Sequence, residues 1–350
     1  MNINARLKRF FSSNEFYVAI AVVILCAVIG LRNPAFFSSH TAINLTRAAI
    51  VPGIMVFAVM LGIIAGGIDI SFPAIAVASM FLTSRYFEAI GFTGPVILPI
   101  LMSVGIGTVL GSINGIIIAF FKLPAFIVTL GTAHLFHGLL VWIVGARPVH
   151  RLPLPMEELS RAELFRVVGE QHTSSVPLTV LFLIGIIVIV YFILNFTMLG
   201  RGIYAIGGDR VSAERAGFNI KGITIFIYAF IGFASGLAGI LHTIHSRLSI
   251  PTDLIGSELL IIAAAVLGGT RISGGKGTVL GSLLGLALIT IARNNLVMMG
   301  IPSTAQQLVV GLIIVIGTGI TAYQAMKKAD KLPRILDKTT RSGGGTVAKS

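Results

Sequence analysis

Residues 198–221 read MLGRGIYAIGGDRVSAERAGFNIK. The stretch is polar and charged, and long apolar runs lie on both sides of it. Its centre is written as a short helix. Asp209 is an N-cap, because its carboxylate accepts from the free amides of the first turn. Arg210 to Ala216 suit a helix, and Gly217 stands where a helix ends in a left-handed residue. Roughly two turns result, too few to persist alone in water. Such a helix needs a surface to dock against. It is either an ordinary loop helix lying on its own bundle or a knob for a soluble partner.

The flanking runs decide the class. Of 350 residues, 55% are hydrophobic and 11% charged, and the mean hydropathy is +0.95. Soluble domains carry about 25% charged residues. Apolar runs of about 20 residues recur, each long enough to cross a bilayer. An all-α integral membrane protein follows, with no segment long and polar enough to form a separate soluble domain. About ten spans are expected, at 16–31, 48–66, 72–90, 95–121, 124–145, 176–196, 223–242, 257–268, 278–299 and 304–323. The third carries Arg85 and Glu88 near its end and the eighth is short, so these two are the candidates for re-entrant or broken helices.

The net charge of +13 invites a nucleic-acid partner. The basic residues cluster at the ends of apolar runs instead, as orientation signals do. With the N-terminus inside, the inner segments hold 17 of the 26 Lys and Arg residues. Both termini are therefore expected in the cytoplasm, which an even number of spans permits. The chain divides into an inner segment 1–15, a transmembrane domain 16–324 and a basic, Gly/Ser-rich inner tail 325–350 expected to be disordered. Within the domain, 146–175 is the main outer loop and 198–221 the main inner one. The basic start and first apolar run resemble a signal peptide, but no convincing cleavage site follows, so the run reads as an uncleaved first span. The single cysteine, Cys26, lies in that run and forms no internal disulfide.

Two glycine-rich segments interrupt the apolar pattern. Gly66-Gly67-Ile68-Asp69-Ile70-Ser71 joins spans two and three. Gly268-Gly269 leads through Thr270-Arg271-Ile272-Ser273 to Gly274-Gly275 between spans eight and nine. At membrane depth, non-helical backbone survives only when buried in protein or lining a cavity. Both segments, near 66–73 and 257–277, are thus candidates for breaks that shape a path; a plain surface turn is the competing reading. Asp69 is an acid in a strongly apolar setting, which favours function. The run Gly269–Thr278 imitates a phosphate-binding loop, but its spacing is wrong and no strand precedes it. No other nucleotide motif occurs, so ATP hydrolysis by this chain is not expected. His134 and His137 share a helical face, but no carboxylate or cysteine accompanies them, so polar lining or helix contact is preferred to a metal site. Asn114, Thr129, Asn294 and Asn295 are further polar positions in or beside spans, suited to a hydroxyl-rich solute or to helix–helix contacts.

With these residues in view, the chain resembles the membrane permease subunit of bacterial ABC importers for simple sugars, of the ribose, xylose and arabinose type. Four ordered stretches carry the likeness: GGIDIS at 66–71, KLPAFIVTLG at 122–131, GRGIYAIGGDRVSAERAG at 200–217 and AAAVLGGTRISGGKGTVLG at 263–281. The resemblance implies a dimeric pore of two permease subunits, with about ten spans in each. It implies a separate cytoplasmic ATPase pair that binds ATP and Mg, and a periplasmic binding protein that delivers the sugar. It places the chain in the bacterial inner membrane, with no cofactor of its own. Asp209, Arg210, Ala213, Glu214, Arg215, Ala216 and Gly217 then form the segment that couples to the ATPase. Asp69, Ser71, Phe72, Asn114, Thr129, His134, Asn294 and Asn295 are candidates for the path or gate, with Asp69 and Ser71 fixing the broken segment. Phe72-Pro73-Ala74 replaces the family's usual Val-Gly-Ser, Asp209 stands where Asn is usual, and His137 falls near a common Arg. These departures bear on the substrate more than on the class. The alternative is an ion-coupled secondary transporter of a small polar solute, which would depend on Asp69 and leave 198–221 idle.

Overall fold

A computed structural model describes residues 14–168 and 173–329. Segment 1–13 and the tail from 330 lie outside the described residues. Thirteen α-helices and one β-hairpin follow in order. The first five helices are α1 (Asn14–Arg32), α2 (Ser39–Ile64), α3 (Phe72–Ala89), α4 (Ile97–Phe121) and α5 (Ala125–Val144). A short α6 (Leu154–Arg161) and a hairpin of β1 (Glu163–Val168) with β2 (Thr173–Pro177) fill the loop after α5. Then come α7 (Val180–Phe196), α8 (Met198–Gly208), α9 (Arg210–Arg215), α10 (Ile220–Ser246), α11 (Glu258–Leu267), α12 (Val279–Asn295) and α13 (Ser303–Ala329).

Each of the ten apolar runs holds a helix, but the helices are unequal. Among the described residues six are long and apolar enough to cross a membrane alone: α1, α2, α4, α5, α10 and α12. A seventh crossing is formed if α7 and α8, bent by 75° at Thr197, are taken together. At ten residues, α11 spans about 15 Å, half a bilayer. α3 is one unbroken helix of 18 residues, and the break lies before it, at Gly66–Ser71. Its modest apolarity has a physical reason. Thirteen of its residues are buried in protein, Ser79, Thr83 and Ser84 among them, so these hydroxyls do not face lipid. Ser79 and Ser84 turn back to donate to the carbonyls of Ile75 and Met80, each at 2.7 Å.

α2, α3 and α10 form the centre, around the fully buried Phe57, Phe72 and Phe81. α1, α4, α5 and α7 lie outside and show exposed Val23, Val109, Trp142 and Phe192. Large apolar side chains facing outward are what a lipid-facing rim requires. Between rim and centre the contact is made of small residues. Gly107 and Gly111 on α4 meet Gly232 and Gly236 on α10, and Gly115 meets the Ile225 backbone. A Cβ on Gly111 would stand 2.2 Å from the Tyr228 carbonyl, and one on Gly232 would stand 2.1 Å from that of Gly107. Such stripes let backbones approach where lipid supplies no hydrophobic drive.

The hairpin stands in the expected outer loop 146–175 and runs to Pro177. It is antiparallel, with Arg166 opposite Ser175 and Val168 opposite Thr173. It sits on the start of α2, where His40 Nδ1 pairs with Ser174 Oγ at 2.7 Å and Arg47 donates to the Ser175 carbonyl at 3.2 Å. A bridge between Val149 and Ser249 ties the same loop to the end of α10. The other end of α2, about 39 Å away by helical rise, meets α8 and the 270–277 loop. The connections therefore divide between two ends of the bundle.

Candidate functional site

The segment 198–221 folds as three linked pieces. Thr197 caps α8 by accepting from the Gly200 amide at 3.1 Å. Asp209 ends α8 with its amide, which donates to the Ala205 carbonyl at 3.0 Å. Its carboxylate starts α9, accepting from the Val211 amide at 3.1 Å and from the Ser212 hydroxyl. Those donors hold the Asp209 carboxyl below the usual carboxylate range, the hydroxyl contributing most. Gly217 has φ +87°. Its amide donates to Glu214, and the Phe218 amide donates to Ala213 at 3.2 Å, which closes α9 with a left-handed cap. Ala213 is buried, whereas Arg210, Val211, Glu214 and Arg215 are exposed. α9 is thus a capped knob seated on one small side chain, with its charges outward.

Behind the knob, three backbone segments meet. Gly207 of α8 lies against the Ile64 carbonyl at the end of α2; a Cβ there would stand 1.8 Å from that oxygen and 2.5 Å from the Gly275 nitrogen. The same carbonyl accepts from the Gly275 amide at 2.8 Å. Tyr204 donates to the Gly277 carbonyl at 2.8 Å. The two glycine breaks of the sequence therefore converge on α8. Gly66, Gly269, Gly274 and Gly275 take positive φ, while Gly67 and Gly268 allow close approach, to the Tyr228 hydroxyl and to the Gly281 backbone.

A buried polar cluster holds the segment between α2 and α3. Asp69, 1% exposed, accepts at Oδ1 from the Ser71 amide and hydroxyl, both at 2.6 Å. Ser71 in turn accepts from Asn114 Nδ2 at 2.8 Å, and Thr129 accepts from the Ile70 amide at 3.2 Å. Asp69 Oδ2, Asn114 Oδ1 and the Tyr228 hydroxyl make no hydrogen bond among the described residues.

A cavity of about 450 Å³ lies elsewhere, between α2, the end of α10, α11 and α12. Its polar lining includes Arg47, His242, Asp253, Thr290, Arg293 and Asn294. Its walls are apolar, from Val51, Met55, Ile261 and Leu286 among others. A concave, mainly apolar space with a few convergent polar groups is what a small-molecule site requires.

The family described as "Branched-chain amino acid transport system / permease component" matches residues 41–317. The chain belongs to this permease family. Relatives of high similarity are ABC permeases over nearly their whole length. The ribose import permease of Haemophilus influenzae is 31% identical over 325 residues, 93% of this chain and 98% of the relative. A probable ABC transporter permease of Escherichia coli is 33% identical over 330 residues, 93% and 96% of the two chains. The fructose import permease of Rhizobium meliloti is 29% identical over 326 residues, 91% and 88%. No solved structure matches the chain. The protein is thus a multi-pass membrane permease subunit of an ABC transporter.

In this permease the sequence-predicted residues separate into groups. Asn294 lines the cavity. Asp69, Ser71, Asn114 and Thr129 do not; they are buried together and hold the backbone between α2 and α3. Phe72 is in the core. Asn295 is buried with its amide on the Ile291 carbonyl, and His134 is exposed on α5, away from the cavity. His137 pairs with the Pro251 carbonyl at 3.1 Å. No cluster of three His, Cys, Asp or Glu side chains that could hold a metal occurs among the described residues. Sequence reading missed Tyr228 and the cavity's Arg47, His242 and Asp253. Charges beside apolar runs look like orientation signals, and only the fold shows that Arg47 within α2, His242 near the end of α10 and Asp253 in the loop after it face one space. Sequence reading also missed the glycine stripes of α4 and α10, although their Gly-x3-Gly spacing at 107–115 and 232–236 is the signal that could have found them.

Proposed function

We propose that this permease carries a sugar or sugar-like solute across the bacterial inner membrane, ten segments crossing with both termini cytoplasmic. Two permease subunits pair to form the path, and a periplasmic binding protein delivers the solute. A cytoplasmic ATPase with its ATP and Mg docks on α9. The relatives named for ribose and fructose support the solute class. The bias of Lys and Arg supports the orientation: Arg201, Arg210, Arg215, Lys221, Arg271 and Lys276 lie at the end of the bundle where α8 meets α2.

One observation carries the mechanism. The exposed α9 continues through the shared cap at Asp209 into α8, and α8 touches both broken segments by backbone-to-backbone contact at Gly207. Tight backbone contacts transmit displacement because packed interiors do not compress. Closure of the ATPase pair would move α9, and α8 would shift the end of α2 together with the 270–277 loop. The cavity on α2, α11 and α12 would then change its access. The buried Asp69 cluster keeps the α2–α3 break rigid during that motion.

Co-reconstitution with a candidate ATPase and a candidate sugar-binding protein tests this. ATP hydrolysis stimulated by a sugar-loaded binding protein, and lost in Arg215→Glu, is the expected result. Solute uptake driven by an ion gradient without any ATPase would overturn it.

A further inference from the structure

The cavity carries more positive charge than a neutral sugar needs. Arg47 and Arg293 both line it, against one carboxylate, Asp253, among the described residues. That carboxylate is already paired with His242 Nε2 at 2.7 Å. Arg47 uses one N–H on the Ser175 carbonyl. The Arg293 side chain makes no hydrogen bond or ion pair among the described residues. In the orientation proposed above, both arginines lie at the outer end of the bundle, where the inward bias depletes basic residues.

We infer that the cavity selects a monosaccharide bearing one acidic group, a carboxylate or a phosphate, which the two guanidiniums hold while hydroxyl groups face Ser257, Thr290 and Asn294. This rests on the importer reading for its biological direction. The physical case is local. A guanidinium presents a planar fork that matches either oxyanion bidentately. Low-dielectric walls focus its field into the cavity. A neutral sugar that displaced water from the space would leave a cation partly desolvated without a counter-ion, which is costly. The neutral partners suit a polyol: Asn294 donates to the Thr290 carbonyl and keeps its own oxygen as an acceptor, and Ser257 donates to Leu254 and keeps its lone pairs. About 450 Å³ lies within the range of ordinary ligand cavities and accommodates one sugar ring.

Two measurements test this on the purified permease in nanodiscs at low salt. The first is equilibrium binding of glucose, glucuronate and glucose 6-phosphate. At least one acid is expected to bind about tenfold more tightly than glucose, and whichever arm responds separates carboxylate from phosphate. Arg47→Gln and Arg293→Gln should each reduce that preference, added salt should weaken it, and Asp253→Asn should strengthen it. Equal binding of all three solutes, or a preference unchanged by both arginine variants, overturns the inference. The second measurement is ATP-driven uptake with the ATPase and binding protein present. Uptake of neutral sugar with no acid preference in binding overturns this inference and leaves the importer reading standing. Acid preference in binding with no ATP-driven uptake of any solute does the reverse.

Discussion

The Gly275 amide donates to the Ile64 carbonyl at 2.8 Å, so the loop before α12 is pinned to the last turn of α2 across more than 200 residues of chain. Gly207 covers that same carbonyl. The hydrogen bond and its cover join the two broken segments to α8, the helix that leads through Asp209 into α9.

Gly207→Ala places a methyl 1.8 Å from the Ile64 oxygen, where neither backbone can yield. A destabilisation of about 1–3 kcal/mol is expected, seen as a lower unfolding temperature in detergent. Transport per ATP hydrolysed should fall further than protein yield. Gly208→Ala, with open space around its Cβ, should do neither. Equal behaviour of the two variants would contradict the junction.

Gly217→Val forces a β-branched residue to φ +87°, a conformation that costs such a residue about 1–2 kcal/mol or more. α9 should fray and co-purification of the ATPase should weaken, while the folded amount of permease stays nearly constant, because the cap is exposed. Gly217→Asn should be milder, since Asn tolerates the left-handed region.

Asp209 supplies a pH prediction. Its folded carboxyl lies below the ordinary value of 3.8. A depressed carboxyl stabilises the fold at pH above its unfolded value, and that contribution is lost as pH falls through the folded one. Association with the ATPase should therefore not vary with pH through this group near neutrality and should weaken only below about pH 3.8. Asp209→Asn should retain the cap and remove that acid limb; Asp209→Ala should weaken association at every pH. Pull-down across a pH series distinguishes the three proteins.

Ser71 both donates to Asp69 and accepts from Asn114. Ser71→Ala leaves two buried polar groups short of a partner, at a cost of about 1–3 kcal/mol. Thermal unfolding should register it, and Ser71→Thr should recover part of the loss. Solute binding at the cavity should change little, because the cluster does not line it.

Within α4, Gly107 and Gly105 are two residues apart and should respond oppositely to alanine. At Gly107 a Cβ would meet the Gly232 carbonyl at 2.3 Å, and at Gly105 it meets nothing within 4 Å. Gly107→Ala should separate α4 from α10 and lower stability. Gly105→Ala should be neutral or stabilising by about 0.4–1 kcal/mol, through loss of unfolded-chain entropy. Unfolding temperatures measured side by side decide it.

Sequence alone determined the elements whose cause is local. Long apolar runs must become helices in a bilayer, because no water is there to satisfy the backbone. Asp209 and Gly217 mark the ends of α9, because capping depends on a few neighbouring residues. The glycine pairs at 66–67, 268–269 and 274–275 were readable as places where helix could not continue. Tertiary structure decided what those local facts were for. Asn114 and Thr129 look the same as Asn294 in a sequence, each a polar group in an apolar run; packing sends the first two to a buried brace and the third to a cavity wall. Arg47, Asp253 and Arg293 lie up to 246 residues apart, and Gly66, Gly207 and Gly275 are similarly scattered. Only the folded arrangement of α2, α8, α11 and α12 brings each set together, because proximity across a bundle is fixed by helix packing and not by the spacing of residues along the chain.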